Sequence, residues 1–208
     1  MDLFEPVREF EKRVAEFTGF KYGVAVESCS AAIFLGLVHY YGRWNSDKIV
    51  DIPSKTYPSV PSAIVNAGYK VKWMDYDWQK EGYYRLGILP IYDCAIMINH
   101  NMQAMFPENS LVCVSFHHKK MLPIGRGGMI LTNDTEAAKW LSCARHDGRH
   151  DKVDLKDDVI EIPGWNMLLT PEQASRGIAL MNNLKDENKC PYQEYPDLKD
   201  MPAWKDNE

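Results

Sequence analysis

The sequence predicts an α/β fold, a three-layer α/β/α sandwich around a mostly parallel sheet. Helical patterns alternate with short apolar, β-rich runs along most of the chain, and this alternation is typical of a sheet covered by helices on both faces. The 208 residues are 45% hydrophobic and 25% charged, which is the composition of an ordinary globular domain with one core.

The elements of the first half follow from local spacing. Val7, Phe10 and Val14 recur at steps of three and four residues, so residues 5–18 are predicted to form an amphipathic helix that stops at Gly19. The same criteria predict a strand over 22–26, a turn over 27–30, a helix over 31–41 that ends at Gly42, a strand over 49–52, a helix ending near residue 67, and a strand over 69–75.

The second half begins with a short bridge and ends in a polar segment. The predicted elements are a bridge over 78–87, a strand ending near Asp93, an irregular stretch over 98–109, strands over 111–116 and 129–131, a helix over 135–145, a charged loop over 149–158, and a helix over 171–184. Beyond residue 185 the chain is polar and proline-rich without periodicity. We therefore expect a domain over 1–185 and an extended tail over 186–208.

Charge and cysteine usage exclude several classes of protein. The net charge is −5, which argues against general nucleic-acid binding, since that requires a basic face. No run is long enough to span a membrane, and the first residues do not form a signal peptide. The five cysteines are scattered without a Cys-x-x-Cys pair, so neither a zinc site nor a disulfide framework is indicated, and a reducing cytoplasm is the expected setting.

The stretch from Ser115 to Gly128 carries the strongest functional pattern. A strand leads into a cationic loop, the loop ends in a Gly-x-Gly-Gly turn, and a second strand follows at once. This places Lys120 between two strands, five residues after a hydroxyl. A basic surface loop is the simplest interpretation of such a lysine, and the spacing of the whole segment is what favours a catalytic one.

The pattern Ser-Phe-His-x-x-Lys-x-Leu-x-x-Gly-x-Gly-Gly resembles the cofactor-lysine segment of the DegT/DnrJ/StrS sugar aminotransferases, which are pyridoxal 5′-phosphate (PLP) enzymes of fold type I. The resemblance implies that Lys120 carries PLP as a Schiff base and then acts as the general base. It implies that Ser115 binds the cofactor phosphate. The fold would be the PLP-binding large domain of fold type I in a shortened form, covering residues 1–185.

A second motif lies where the first predicted strand meets the second helix. Residues 28–32 read Ser-Cys-Ser-Ala-Ala, where the family has Ser-Gly-Thr-Ala-Ala. The resemblance makes Cys29 and Ser30 phosphate-binding residues, and a helix start also offers N–H groups to an anion. The glycine replaced by Cys29 is a departure, because close backbone approach favours glycine. A plain helix cap formed by Ser28 or Ser30 is the alternative.

Three further positions match family motifs. Tyr57 ends a Pro-x-x-Thr-aromatic segment and is expected to stack on the pyridine ring. Asp93, after a strand, is expected to pair with the pyridine nitrogen, although such an aspartate is often only a turn residue or cap. Asn166 matches an asparagine that reaches the partner's cofactor phosphate, so the resemblance implies a homodimer with shared active sites.

Several positions depart from the family pattern. The bridge over 78–87 replaces an α/β unit. Ile96 stands where the family has glutamine, Arg126 stands where it has glutamate, and Leu168 stands where it has arginine. The C-terminal domain of the family is not matched by any part of these 208 residues.

The expected function is that of a PLP-dependent aminotransferase. It would move an amino group from an amino acid such as glutamate to a nucleotide-linked keto-sugar. One alternative is a degenerate scaffold that binds PLP or a sugar nucleotide. A PLP-dependent sugar dehydratase is less favoured, because such relatives replace the Schiff-base lysine with histidine. No metal site, nucleic-acid partner or membrane partner is expected.

Overall fold

The computed structural model describes residues 2–40 and 48–204. The helices are α1 (Glu5–Thr18), α2 (Cys29–Tyr40), α3 (Ser59–Asn66), α4 (Thr135–Ala144) and α5 (Pro171–Met181). The strands are β1 (Tyr22–Val26), β2 (Ile49–Pro53), β3 (Lys70–Met74), β4 (Tyr84–Arg85), β5 (Ile91–Asp93), β6 (Leu111–Ser115) and β7 (Gly128–Thr132). The predicted end of the second helix at Gly42 lies outside the described residues.

Helix α1 shows how the local pattern becomes structure. Val7, Phe10 and Val14 are buried on one face, as their spacing predicts. Gly19 ends the helix with a φ of 80° and donates its N–H to the Ala15 carbonyl, because glycine adopts this left-handed conformation without a steric penalty. The predicted bounds and stop of this helix are confirmed.

The central strands are buried on both faces. Ile130 of β7 belongs to a core that also contains residues of α2, α3 and α4. Its neighbours Met129 and Leu131 belong to a second core that contains residues of α1 and α5. Because side chains alternate along a strand, one sheet supports both cores, and the predicted three-layer α/β/α arrangement is confirmed.

The strand directions correct the expectation of a mostly parallel sheet. The five-stranded sheet has the order β1-β7-β6-β5-β4, and β2 and β3 form a separate parallel pair. Within the larger sheet of the described residues, only β5 and β6 are parallel. Three of its strands, β1, β6 and β5, still run the same way, because β7 is inserted between β1 and β6 in the opposite direction. The reversed β4 completes the edge.

Strand β4 forms within the bridge that the sequence left without structure. Tyr84 pairs with Asp93, and Arg85 pairs with Tyr92, in an antiparallel ladder. Two residues later, the Gly87 N–H donates to the Asp51 carbonyl of β2 over 2.9 Å. This short hairpin therefore joins β5 to the β2–β3 pair over the stretch where the family's α/β unit is expected to be replaced by a bridge.

The described part of the expected tail, residues 186–204, lies against the rest of the domain. The Cys190 N–H donates to the Ile96 carbonyl, and the Ile98 N–H donates to the Asn188 carbonyl. Further along, Leu198 is fully buried within a short 3₁₀ helix (Leu198–Asp200). Among the described residues, no helix has the length and apolar character needed to cross a membrane.

Candidate active site

The candidate residues collect at one end of the strands, on the side of the sheet where β1, β5 and β6 terminate. Strands β1, β5 and β6 run in the same direction, so their C-terminal ends lie together. The turn over 27–28, shorter than the predicted 27–30 because α2 starts at Cys29, follows β1, Asp93 ends β5, and the loop with Lys120 follows β6. Ligands of α/β sheets bind at this end, because the loops there leave a crevice.

Asp93 is a buried carboxylate with a donor on each oxygen. It is only 3% exposed. Its Oδ1 accepts the Ala95 N–H over 2.9 Å, and its Oδ2 accepts the Tyr84 hydroxyl over 2.9 Å. Burial raises the pKa of Asp93, while these two donors and the Lys120 ammonium act in the opposite direction. Asp93 ends β5 and the loop with Lys120 follows the adjacent parallel strand β6, so both residues belong to the same end of the sheet.

The loop that carries Lys120 is held by its own backbone. The Phe116 N–H donates to the Gly127 carbonyl, and the His118 N–H donates to the Gly125 carbonyl, so β6 and β7 stay joined beyond their ends. Inside this neck, the Lys120 N–H donates to the His117 carbonyl over 2.8 Å. Burial first, and then neighbouring cations including Lys120, lower the pKa of His117. The histidine is therefore uncharged near neutral pH.

Gly128 lets the turn after β1 approach the sheet closely. A Cβ at this position would lie 2.4 Å from the Cys29 nitrogen and 2.5 Å from the Ser28 carbonyl carbon. Real side chains do not tolerate such distances, so the backbone of the turn rests where a side chain would be. Ser115 pairs with Gly128 across the ladder, which places its hydroxyl beside the start of α2.

We call the Ser28–Cys29 turn, Gly128 and the Ser115 hydroxyl together the cradle. The first turns of α2 and α3 meet there. The Ser30 hydroxyl donates to the Ser59 hydroxyl over 2.6 Å, and Ser59 is the first residue of α3. Ser28 caps α2 through its hydroxyl, which accepts the Ala31 N–H, so the capping alternative holds for Ser28. Burial raises the pKa of Cys29 well above its usual value, and an uncharged thiol does not repel a phosphate.

Tyr57 and Asn166 are the two candidate residues with exposed side chains. Tyr57 is 60% exposed, so its ring is accessible at the rim. Asn166 is exposed, and its Nδ2 donates to Asp147 over 3.5 Å. The next residue, Met167, accepts the Glu27 N–H, which keeps this segment beside the cradle. Stacking by Tyr57 and a role of Asn166 across a dimer stay predictions.

The departures from the family pattern have clear local consequences. The Arg126 guanidinium donates to the Glu27 carboxylate over 2.9 Å, so its positive charge is balanced outside the cradle. The backbone of Leu168 pairs with that of Val26 in an isolated antiparallel β-bridge. Ile96 is buried in the core, so this position offers no polar group to a ligand.

Sequence reasoning missed the residues that support Asp93 from behind. Tyr84 and Thr56 form a hydrogen-bonded pair that is buried against the carboxylate. The ring of Trp78 covers Tyr84 with an edge contact at 4.9 Å, and Tyr195 stacks on Trp78. A concentration of aromatic residues in the bridge was the one feature in the sequence that pointed to them.

Metal-based chemistry has no ligand set in the described ranges, where no group of three or more histidine, cysteine or acidic side chains could hold an ion. All five cysteines are free. Burial raises the pKa of Cys94 and Cys113, which lie near Asp93. These thiols are neutral core side chains rather than nucleophiles.

Comparison with solved structures shows the fold. The sugar aminotransferase CalS13 from Micromonospora echinospora is similar with a TM-score of 0.72 and 16% identity, over 86% of this chain and 61% of that chain. A DegT DnrJ EryC1 StrS aminotransferase from Brucella abortus is similar with a TM-score of 0.67 and 21% identity, over 88% and 59%. The predicted fold type I of PLP-dependent transferases, in a shortened form, is thereby confirmed.

Comparison at the sequence level gives the family. The chain is 25% identical over 227 residues to the spore coat polysaccharide biosynthesis protein SpsC of Bacillus subtilis (strain 168), covering 88% of this chain and 58% of that protein. The chain thus spans well under two thirds of this relative's length. A profile of the DegT/DnrJ/EryC1/StrS aminotransferases matches residues 2–81 and 91–194. The chain therefore belongs to the DegT/DnrJ/EryC1/StrS aminotransferase family.

Proposed function

We propose that this chain is the PLP-binding part of a sugar aminotransferase. The observation that carries the proposal is the common position of Asp93 and Lys120. Asp93 ends β5 and the Lys120 loop follows the adjacent parallel strand β6, and the Lys120 ammonium acts to lower the pKa of the Asp93 carboxyl. A buried carboxylate and an amine at the same end of a sheet could hold a protonated pyridine and an aldehyde at opposite ends of one ring.

The residues of the cradle support the same cofactor. The Ser28–Cys29 backbone lies where a side chain at Gly128 would be, and the first turns of α2 and α3 are joined through Ser30 and Ser59. Helix N-termini attract anions, because their N–H groups and dipoles point outward. We propose that Cys29, Ser30 and Ser115 hold the cofactor phosphate.

Each side chain has a distinct task in the proposed reaction. Bound PLP supplies an electron sink for breaking a Cα–H bond. Asp93 would accept the N–H of the pyridinium and keep that nitrogen protonated. Lys120 would bond to the cofactor aldehyde in the resting state, and once the donor's amine has displaced it, the freed Lys120 amine would act as the general base that moves a proton between the substrate carbon and the cofactor carbon. Tyr57 covers the ring at the rim.

The substrates and the assembly are part of the proposal. We propose a nucleotide-linked keto-sugar as acceptor and an amino acid such as glutamate as donor, in a homodimer in which Asn166 serves the partner's site. The exposure of Asn166 beside the cradle supports this. The free cysteines fit a reducing cytoplasm. We also propose residues 1–185 as the cofactor-binding domain and 186–208 as an extended tail, the described part of which packs against that domain.

A scaffold that binds the cofactor without catalysis is the second candidate. The buried Ile96 and the apolar Leu168 stand at two positions that are polar in the family pattern. Both changes remove groups that would act on the cofactor or the substrate, and neither changes Asp93 or Lys120. The two candidates therefore agree on cofactor binding and differ in turnover.

The test is a PLP titration followed by borohydride reduction. The purified protein should develop an imine absorption band, and mass spectrometry of the reduced protein should find the cofactor on the peptide that contains Lys120. Lys120→Ala should abolish both results, because Lys120 is the amine that the proposal assigns to the cofactor aldehyde. Lys119→Ala is the matched control and should retain both, since Lys119 is an exposed neighbour in the same loop.

Adding amino acids to the PLP-loaded protein separates the two candidates. Conversion of the band to that of the amine form of the cofactor indicates an aminotransferase, and an unchanged band indicates a scaffold. A band that survives Lys120→Ala would contradict the assignment of the lysine.

A further inference from the structure

The hydrogen bonds around Asp93 extend to two residues outside the proposed catalytic set. The Tyr84 hydroxyl donates to Asp93 Oδ2 over 2.9 Å and lies 2.7 Å from the Thr56 hydroxyl. Tyr84 and Thr56 are 2% and 1% exposed, so water does not compete for these bonds. The three residues come from β5, β4 and the segment after β2, and they tie these elements together at the site.

The direction of the protons in this chain is fixed. A carboxylate only accepts hydrogen bonds, so the single proton of the Tyr84 hydroxyl points at Asp93. The Thr56 hydroxyl must then donate to Tyr84, since no second tyrosine proton exists. The result is a neutral chain of donors that ends on the carboxylate and adds no charge beside it.

The ring of Tyr84 is held by packing as well as by its hydroxyl. It pairs with Asp93 in the antiparallel ladder, so the two side chains project from the same face of the sheet. Trp78 contacts the ring edge-on at 4.9 Å, and the Trp78 Nε1 donates to the Lys55 carbonyl over 2.9 Å. Tyr195 in turn stacks on Trp78, with ring centroids 5.9 Å apart. The Tyr84 hydroxyl therefore has little freedom to leave the Asp93 carboxylate.

The carboxylate keeps capacity for one more donor. An ionised carboxylate has about four acceptor positions, and here Ala95 and Tyr84 use one on each oxygen. A third donor, such as a ring N–H, can still bind. Because both existing donors are uncharged, the negative charge of Asp93 is left for a cationic ring rather than neutralised in advance.

We propose that Tyr84 is a positioning residue, which orients the Asp93 carboxylate toward the pyridine nitrogen of the cofactor with support from Thr56. This inference rests on the proposed function. Tyr84 lies in residues 82–90, the segment that the family profile leaves unmatched between 81 and 91. The short β4–β5 hairpin thus supplies a support of its own for Asp93.

The first test compares PLP affinity in three variants. Tyr84→Phe removes only the hydroxyl and keeps the ring contact with Trp78, and we expect it to bind PLP about tenfold more weakly, since hydrogen bonds to charged groups have about this effect. Thr56→Val should weaken binding less, because it acts through Tyr84. Tyr69→Phe is the control: it loses a comparable buried bond, from the Tyr69 hydroxyl to the Leu37 carbonyl, and should bind PLP as the wild type does.

The second test measures the titration of Asp93 by ¹³C NMR in protein without cofactor. Loss of the Tyr84 donor should move the pKa of Asp93 upward in Tyr84→Phe and leave it unchanged in Tyr69→Phe. A purely structural role would not move this titration. If Tyr84→Phe keeps wild-type PLP affinity, or Tyr69→Phe loses as much, this inference alone is overturned. If the wild type binds no PLP, the proposed function is overturned with it.

Discussion

The two edges of the five-stranded sheet are closed by different chemistry. At the β1 edge, the Ala25 N–H donates to the Glu11 carboxylate over 2.8 Å, and the Ala25 carbonyl accepts from the Arg145 guanidinium. Glu11 and Arg145 also form an ion pair with each other, with side chains that are 13% and 10% exposed. At the β4 edge, the contacts to Asp93 come from the uncharged Tyr84 hydroxyl and Thr56 behind it.

The difference follows from what each edge has to do. A buried ion pair at β1 satisfies both backbone groups of an edge residue and brings its own counter-charge, so nothing more has to bind there. At β4, a counter-charge would occupy the carboxylate that the proposed cofactor needs. The neutral donors orient Asp93 and leave its charge available. The charges at the first edge are therefore balanced by each other, so that removing one of them is costly, whereas the unpaired charge at the second edge is itself a cost to stability.

The largest effect is expected at the β1 edge. Glu11→Gln keeps the shape of the side chain and leaves the buried Arg145 without a counter-charge, which should lower the free energy of unfolding by about 3–5 kcal/mol. Urea unfolding measures it. Glu9→Gln is the control, because the Glu9–Arg13 pair in the same helix is exposed, and its loss should leave the stability close to that of the wild type. Equal losses in both variants would show that the buried pair is not special.

The second effect tests how closely the Ser28–Cys29 turn packs on Gly128 of β7, a strand that lies between the two edges. Gly128→Ala places a methyl group against the backbone of the Ser28–Cys29 turn, so we expect a loss of about 1–3 kcal/mol in the free energy of unfolding and weaker PLP binding. Gly36→Ala in α2 is the matched control. Its Cβ would meet Ile91 at an ordinary 3.5 Å, and alanine should stabilise the helix by about 0.5–1 kcal/mol. If Gly128→Ala has the same free energy of unfolding as the wild type, the Ser28–Cys29 turn can move away without cost.

The smallest effect is a gain in stability rather than a loss, and it tests the difference between the two edges most directly. Burial raises the pKa of Asp93 above its unfolded value, so the folded state gains stability from the protonated form and loses it as the pH rises through the folded pKa. Asp93→Asn stays neutral, and without cofactor it should be more stable than the wild type at pH 7. A gain of about 1 kcal/mol raises Tm by roughly 2–4 °C.

The pH dependence of that gain is its control. Thermal unfolding at an acidic pH, below the unfolded pKa of about 3.9, should show equal stability for Asp93→Asn and the wild type, because the carboxyl is protonated in both states. A variant that is less stable than the wild type at pH 7 would contradict the view that the charge at this edge serves binding rather than folding.

Local patterns predicted most elements of the fold. The spacing of Val7, Phe10 and Val14 was sufficient for α1, and the apolar run at β6 was sufficient for a buried strand. Strand β4 was missed, because two residues have no periodicity and Tyr84 forms a strand only by pairing with Asp93. The insertion of β7 against its neighbours was missed for a similar reason, since strand direction depends on distant partners.

The positions of the candidate residues, although not their roles, could be predicted where a motif lies within one stretch of chain. Lys120, Asp93 and the turn after β1 lie at the same end of the sheet, and their functions stay predictions. The chain from Thr56 through Tyr84 to Asp93 joins positions far apart in sequence, and no local spacing encodes such a contact. Asn166 and Tyr57 stay predictions, because their expected partners belong to a second subunit and to a bound ring.

The closed neck of the Lys120 loop also bears on how the site can change during evolution. The loop is bounded by the hydrogen bonds from Phe116 to Gly127 and from His118 to Gly125, so inserting or deleting a residue inside it would shift Lys120 relative to Asp93. We therefore expect this loop to accept exchanges of side chains, and changes of length to be better tolerated in exposed stretches such as 151–157.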